Sequence, residues 1–482
     1  MSERLTVITI PQATANGPLH LGHLSGPYLA SDIAARAARA RGERVLALAG
    51  IDVHQNYVLT KAENEGLPVD AMIDEYRTRI LDAYTRARLS WEAYYDPSRD
   101  EGYRAGVARV VADLVERGTL PMRDFTLHQC ADCGRTLHHS YVVGTCATCG
   151  SGASGGSCEG CGGFTSAQTL LNPACDRCGG AAREVTTTVP VLRLEDYREE
   201  LLAVWAQAEL TPRVRELVGH YLRAGLPEVP MAYPTNWGIE GTGPLAGMRI
   251  EVYAEVAIAY LFCAARHLDP DVRGVDDCAA AWERIDGLWH FHGIDNAFYF
   301  ALFIPAFFAA AGVRPAALRG LVVNEFCTLE GKKFSTSRNH AIWADEFLAT
   351  EDPAIVRLYL AWNRPDSYET DFTHESYRAF RDMVAPLLAG HAPAGAVLPA
   401  ELVAAEVERA EQALRPESFD PALAVRAALA GLAGGSERAA RVLAVLAGEA
   451  GGAATGGAAT GEAATGEAAT GGAATGKVAV ER

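Results

Sequence analysis

Residues 5–23 read LTVITIPQATANGPLHLGH. The opening run LTVITIP (5–11) predicts a short buried strand. Ala15-Asn16-Gly17-Pro18 supplies turn residues, and a helix-like stretch runs from about Leu21 to Arg41. A second apolar strand, RVLALAG, follows at 44–50. Strand, glycine turn, helix and strand make a βαβ unit, which seeds a parallel sheet covered by helices. The expected class is therefore α/β. Helical patterns continue through 69–89 and 101–117, and a second α/β half is expected over 190–348. That half holds the buried-looking run YFALFIPAFFAAAG (299–312) and the strand-like LVVNEFCTL (321–329).

The rest of the 482-residue chain is compatible with several domains, each with its own core. A net charge of -17 argues against a surface that grips nucleic acid over its whole extent, while leaving room for a local basic patch. No charged leader precedes an apolar stretch at the N-terminus, and no apolar run is long enough to span a membrane; AYLFCAA near 260 reads as core. A cytoplasmic address and reduced cysteines are expected. The stretch 451–475 repeats GGAAT or GEAAT units, lacks large apolar side chains, and is expected to be a disordered tail.

Two segments carry phosphate chemistry. His20-Leu21-Gly22-His23 lies between the first strand and the first helix. Imidazoles there can donate to phosphate oxygens, Gly22 allows an adenine ring to approach the backbone, and the helix mouth adds oriented N–H groups. Lys332-Lys333-Phe334-Ser335-Thr336-Ser337-Arg338 follows the strand-like 321–329 and the turn Glu330-Gly331. Only four lysines occur in the chain, and two stand here side by side. A loop with ammonium and hydroxyl groups can clamp a triphosphate and neutralise departing pyrophosphate.

In this order, about 310 residues apart, the two segments resemble the HIGH and KMSKS signatures of class I aminoacyl-tRNA synthetases. The pattern is most similar to methionyl-tRNA synthetases of the two-zinc type, as a divergent paralogue. The resemblance implies a Rossmann-type doubly wound parallel sheet with a zinc-knuckle insertion and a short C-terminal α-helical domain. It implies ATP, with Mg2+, held by His20, Gly22 and His23, with Lys333 stabilising the pyrophosphate end and Lys332, Ser335 and Ser337 beside it. The family's second loop lysine is Thr336 here. His290-Phe291-His292-Gly293-Ile294-Asp295 resembles the family's FxGxD stretch; Gly293 and Asp295 would hold the ribose, a carboxylate accepting from its hydroxyls.

Eight of the eleven cysteines form CxxC pairs: Cys130/Cys133, Cys146/Cys149, Cys158/Cys161 and Cys175/Cys178. Two such knuckles complete a tetrahedral thiolate shell, so eight cysteines suit two structural Zn2+ ions. Spacing allows sequential or nested pairing. Resemblance to the family's connective insertion suggests an inner site, Cys146, Cys149, Cys158 and Cys161, nested within an outer one. His128, His138 and His139 are read as bystanders.

The amino-acid pocket departs from the family. Where the family has Leu-Pro-Tyr before the Asn-Gly turn, Gln12 and Thr14 occupy the leucine and tyrosine positions. The WLDAPIGY helix becomes Tyr253 through Tyr260, and Phe300 replaces the family's histidine. Asp52 matches, and would pair with an α-ammonium group. Polar groups in place of an aromatic lid make methionine a poor expected substrate. The C-terminal helical stretch is short, with Tyr377, Phe380 and Phe419 its last aromatics. The expected acceptor is tRNA or, alternatively, a small-molecule amine or hydroxyl in specialised biosynthesis; a catalytically dead RNA-binding regulator is a third possibility. The expected divisions are 1–123 and 190–350 for the two catalytic halves, 124–189 for the zinc insertion, 351–450 for the helical domain and 451–482 for the tail.

Overall fold

The structure, a computed structural model, describes residues 5–335, 340–391 and 399–449. Thr336, Ser337, Arg338 and the repeat tail lie outside the described residues.

A parallel sheet organises the chain. Leu5–Thr9 is central, with Arg44–Asp52 on one side and Ile285–Gly293 on the other; Leu318–Asn324 extends the sheet beyond the latter. Short strands Ala13–Thr14 and Ala93–Tyr95 both pair with Arg44–Asp52. Alternation along the strands distributes the core to both faces. Leu5, Val7, Leu46, Leu48 and Leu288 enter one cluster, with helices Glu101–Glu116, Val252–Leu268 and Ile304–Ala310. Ile8, Ala47, Ala49, Trp289 and Phe291 enter another, with Leu29–Ala40 and the C-terminal helices. A sheet buried on both faces needs near-continuous apolar strands, which explains LTVITI and VLALAGI.

The predicted helix from Leu21 to Arg41 is not continuous. Leu21–His23 gives one α-turn, Leu24–Tyr28 is π-helical, and regular helix begins at Leu29. Gly26 leaves helical geometry (φ −82°, ψ −118°) and is followed by Pro27, which has no N–H to donate. The strand-like 321–329 also divides: Leu318–Asn324 stays in the main sheet, whereas Cys327–Leu329 joins a small sheet with Lys332–Lys333 and Thr370–Phe372. Thr370–Phe372 therefore interrupts the predicted all-helical C-terminal stretch.

The cysteine-rich segment rises on an antiparallel stem, Met122–Cys130 against Ala182–Arg193. The C-terminal helices are fastened to the first half by Arg357, fully buried. Its guanidinium binds Asp32 (2.7 Å), the Ala87 carbonyl (2.7 Å) and the Leu446 carbonyl (3.0 Å). No described helix is long and apolar enough to cross a membrane.

Candidate active site

The chain runs to opposite sides of Leu5–Thr9 in its two halves, so the loops leaving the carboxyl ends of the strands diverge there. Such a switch point leaves a crevice. Here it is a cleft of about 500 Å³. Its lining includes His20, Gly22, His23, Lys333, Gly293, Asp295, Gln12, Thr14, Asp52, Tyr253, Tyr260 and Phe300. Lys332 and Ser335 do not line it, and Ser337 is outside the described residues. Adjacent strand residues face opposite ways, so the exposed Lys332 points away when Lys333 points in.

His20 caps the short helix through a reciprocal pair of bonds. The His23 N–H donates to His20 Nδ1 and the His20 N–H to His23 Nδ1, both at 3.2 Å. Since each Nδ1 accepts, each neutral ring carries its proton on Nε2. Burial, reinforced for His20 by neighbouring His23, lowers their pKa values to about 2 and about 4. The rings stack at 3.6 Å and can offer Nε2–H groups to phosphate without a cationic charge. Phe334 stacks on His20 at 4.6 Å, and a Cβ on Gly22 would come within 2.9 Å of it. The face of Gly22 expected to receive adenine is thus covered by the phenyl ring of the lysine-bearing loop (the flap).

Lys333 sits on a hairpin turned by Glu330 (φ 49°) and Gly331 (φ 74°), whose Gly331 N–H donates to the Asp371 carboxylate at 3.0 Å. Its ammonium pairs with Glu159 and lies 5.1 Å from the Phe326 ring. Ser335 and His340 exchange backbone hydrogen bonds of 2.9 and 3.0 Å at the base of the flap. Across the cleft, burial and then Glu159 raise the pKa of Asp295 to about 6. A Cβ on Gly293 would meet Asp295 Oδ1 at 2.5 Å, so glycine allows that carboxylate to fold over the backbone.

Asp52 ends its strand, accepting from the N–H groups of His54 (3.2 Å) and Gln55 (3.1 Å). Burial, then the Glu255 carboxylate, push its pKa up to about 7. His54 bonds Glu255 at 2.8 Å; burial opposes its protonation, but Glu255 prevails and raises its pKa. Gln12 donates to the Tyr95 hydroxyl. Tyr253 stacks on Tyr299 at 3.3 Å, while Tyr260 and Phe300 face each other at 6.2 Å.

Sequence reading missed several lining residues, among them His139, Glu159 and His292. Glu255 was missed as the partner that perturbs Asp52 and His54. His292 lies inside a quoted motif and Glu159 between two cysteines, so a signal existed without a reason to choose them. His139, Gly155, Ser157 and Glu159 make the cysteine-rich insertion one wall of the cleft. His139, adopting φ 47°, places its Nε2 2.6 Å from the Glu251 carboxylate.

The cysteines group as Cys130, Cys133, Cys175 and Cys178, and as Cys146, Cys149, Cys158 and Cys161. The arrangement is nested, and the sequential pairing that spacing also allowed is not adopted. Sulfur separations include 3.3 and 3.8 Å in the outer set and 3.5 and 3.9 Å in the inner. A tetrahedral centre with metal–sulfur bonds of about 2.3 Å needs separations of roughly 3.8 Å. The donor sets fit zinc. His128, His138 and His139 belong to neither group.

Comparison with known proteins agrees with this geometry. Residues 6–383 match the family model described as tRNA synthetases class I (M). The methionine–tRNA ligase of Thermococcus kodakarensis is 32% identical over 389 residues, covering 77% of this chain and 52% of the relative. That of Dehalococcoides mccartyi strain BAV1 is 32% identical over 392 residues, covering 79% and 68%. The chain thus spans about half the length of the archaeal relative. A Mycobacterium tuberculosis methionyl-tRNA synthetase in complex with methionyl-adenylate shares the fold, with a TM-score of 0.64, 18% identity and coverage of 92% of this chain and 89% of that one. A parallel sheet with a cleft at its switch point, lined by both the His20–His23 turn and Lys333, and a match over most of the length place the chain in the class I tRNA synthetase family, in its methionyl (M) group.

Proposed function

We propose that this protein activates an amino acid with ATP and passes the acyl group to tRNA. The observation that carries the reading is the convergence of His20, His23 and Lys333 with Asp52 and Asp295 on one cleft. An α-ammonium group pairs with Asp52, and the ribose hydroxyls donate to Asp295. The substrate carboxylate oxygen attacks the α-phosphorus as the bond to pyrophosphate breaks. Nε2–H groups of His20 and His23 donate to phosphate oxygens as charge moves there, and Lys333 follows the departing pyrophosphate. The acceptor hydroxyl then attacks the acyl carbonyl and AMP leaves. Mg2+ would accompany the triphosphate as a charge-neutralising ion. The two thiolate sets would hold zinc as closed structural centres that brace the insertion's wall.

The amino acid is not methionine in this reading, because Gln12 and Thr14 bring polar groups that a thioether leaves unpaired. ATP–pyrophosphate exchange across the amino acids tests this; strongest exchange with methionine would overturn it. A second reading replaces tRNA by a small amine or hydroxyl. It is favoured by the inward packing of the C-terminal aromatics: Tyr377 and Phe380 are buried, and Phe419 packs on Phe291 at 5.4 Å. Base stacking needs an accessible ring. Turnover past the adenylate that depends on tRNA supports the first acceptor. A tRNA-independent product with hydroxylamine supports the second.

A further inference from the structure

His292 precedes the last residue of Ile285–Gly293 and is 2% exposed. Its Nδ1 lies 2.9 Å from the Gly293 carbonyl. A carbonyl oxygen only accepts, so Nδ1 holds the proton and Nε2 of the neutral ring is a bare acceptor. That Nε2 is buried and has no hydrogen-bond partner. The ring cannot readily turn to find one, because it also stacks flat on Phe300 at 4.4 Å with planes 10° apart. Both His292 and Phe300 line the cleft, in the wall that also carries Tyr260. His290, on the same side of the strand, has an unpartnered Nε2 too but does not line the cleft. Buried acceptors in native proteins are normally satisfied by protein, water or ligand. Burial lowers the His292 pKa to about 4, so the ring stays an acceptor through neutral pH.

We infer that the activated amino acid carries a neutral hydrogen-bond donor on its side chain, a hydroxyl or carboxamide, and that His292 Nε2 receives it. This rests on the amino-acid activation proposed above and names the substrate class. His292 is a specificity-determining residue whose orientation is fixed by Gly293 and Phe300. Gln12, Thr14 and Tyr260 complete a polar boundary that an apolar side chain would leave unmatched.

The test is pyrophosphate exchange with near-isosteric pairs: threonine against valine, tyrosine against phenylalanine, asparagine against leucine, glutamine against methionine. The best substrate is expected to be a donor member, preferred over its partner by about 100-fold or more in kcat/KM. His292→Phe, which keeps the stacking surface, should reduce that ratio to below about tenfold, mainly by raising the amino-acid KM and without changing the ATP KM. His292→Asn, which retains an acceptor, should recover part of the preference. Preference for an apolar member, or an unchanged ratio in His292→Phe, overturns the inference and assigns Nε2 to a buried water. No exchange with any amino acid would sink the activation reading instead. Calorimetric titration of the same pairs then decides about His292: donor-selective binding lost in His292→Phe upholds it, and binding of neither member or of both alike defeats it.

Discussion

In the proposed reaction Asp52 carries a conflict that ligand binding would resolve. Burial and the Glu255 carboxylate hold it near a pKa of about 7, yet an α-ammonium partner needs it ionised. A raised carboxyl pKa means that the empty site takes up a proton as pH falls through 7. The amino-acid KM should therefore rise about tenfold from pH 8 to pH 6, with the ATP KM much less affected. Initial-rate exchange measurements read this directly, and a flat amino-acid KM over that range would contradict the assignment. His20 and His23 make the opposite prediction. Their mutual capping fixes Nε2–H as the donor and keeps both rings neutral. No ionisation from them should enter the rate profile above about pH 5. The HxGH spacing was legible from sequence because three residues around one helical turn bring its ends together. The tautomer was not, since it depends on which nitrogen meets a backbone N–H.

At the scale of elements, the flap hairpin and the inner knuckle meet through Lys333 and Glu159. The flap lysine is thus already paired with a carboxylate from the insertion, which pyrophosphate would have to displace in the proposed reaction. Lys333→Ala should lower exchange by about 10²- to 10³-fold, as loss of a charge-stabilising donor does. Glu159→Gln should lower the ATP KM several-fold by freeing the ammonium; a higher KM would mean that Glu159 orients Lys333 rather than competes for it. The lysine pair was conspicuous in the sequence. Its division into one inward and one outward residue follows from strand alternation, which the loop reading did not anticipate. The break at Gly26-Pro27 was missed for a related reason: periodicity carried the helix through, although proline withholds a hydrogen bond.

Across the whole molecule, stability and site geometry depend on contacts between distant segments. Arg357→Met removes the cation that compensates Asp32 at a point closed to water, and leaves the Ala87 and Leu446 carbonyls without their donor. Its expected cost is about 3–5 kcal/mol, read as a lowered denaturant midpoint; an unchanged midpoint would refute a joining role. The insertion makes a second whole-molecule prediction. The protein should bind two equivalents of zinc, and Cys149→Ser should leave about one. Chelation should loosen the wall bearing His139 and Glu159 and raise the ATP KM before the sheet unfolds, seen as loss of insertion protection in hydrogen exchange. Simultaneous unfolding of the sheet would instead make zinc a global requirement.

The amino-acid sequence by itself determined the elements whose physics is local: apolar runs long enough for buried strands, the histidine pair at a helix mouth, the paired lysines and the four CxxC knuckles. These need only a period, a spacing or a side-chain chemistry. Tertiary structure alone decided the nesting of the cysteines, the approach of Glu159 to Lys333, the pressure of Glu255 on Asp52 and the bare acceptor on His292. Each joins groups far apart in sequence or depends on burial, and no local pattern encodes which distant side chain will exclude the water.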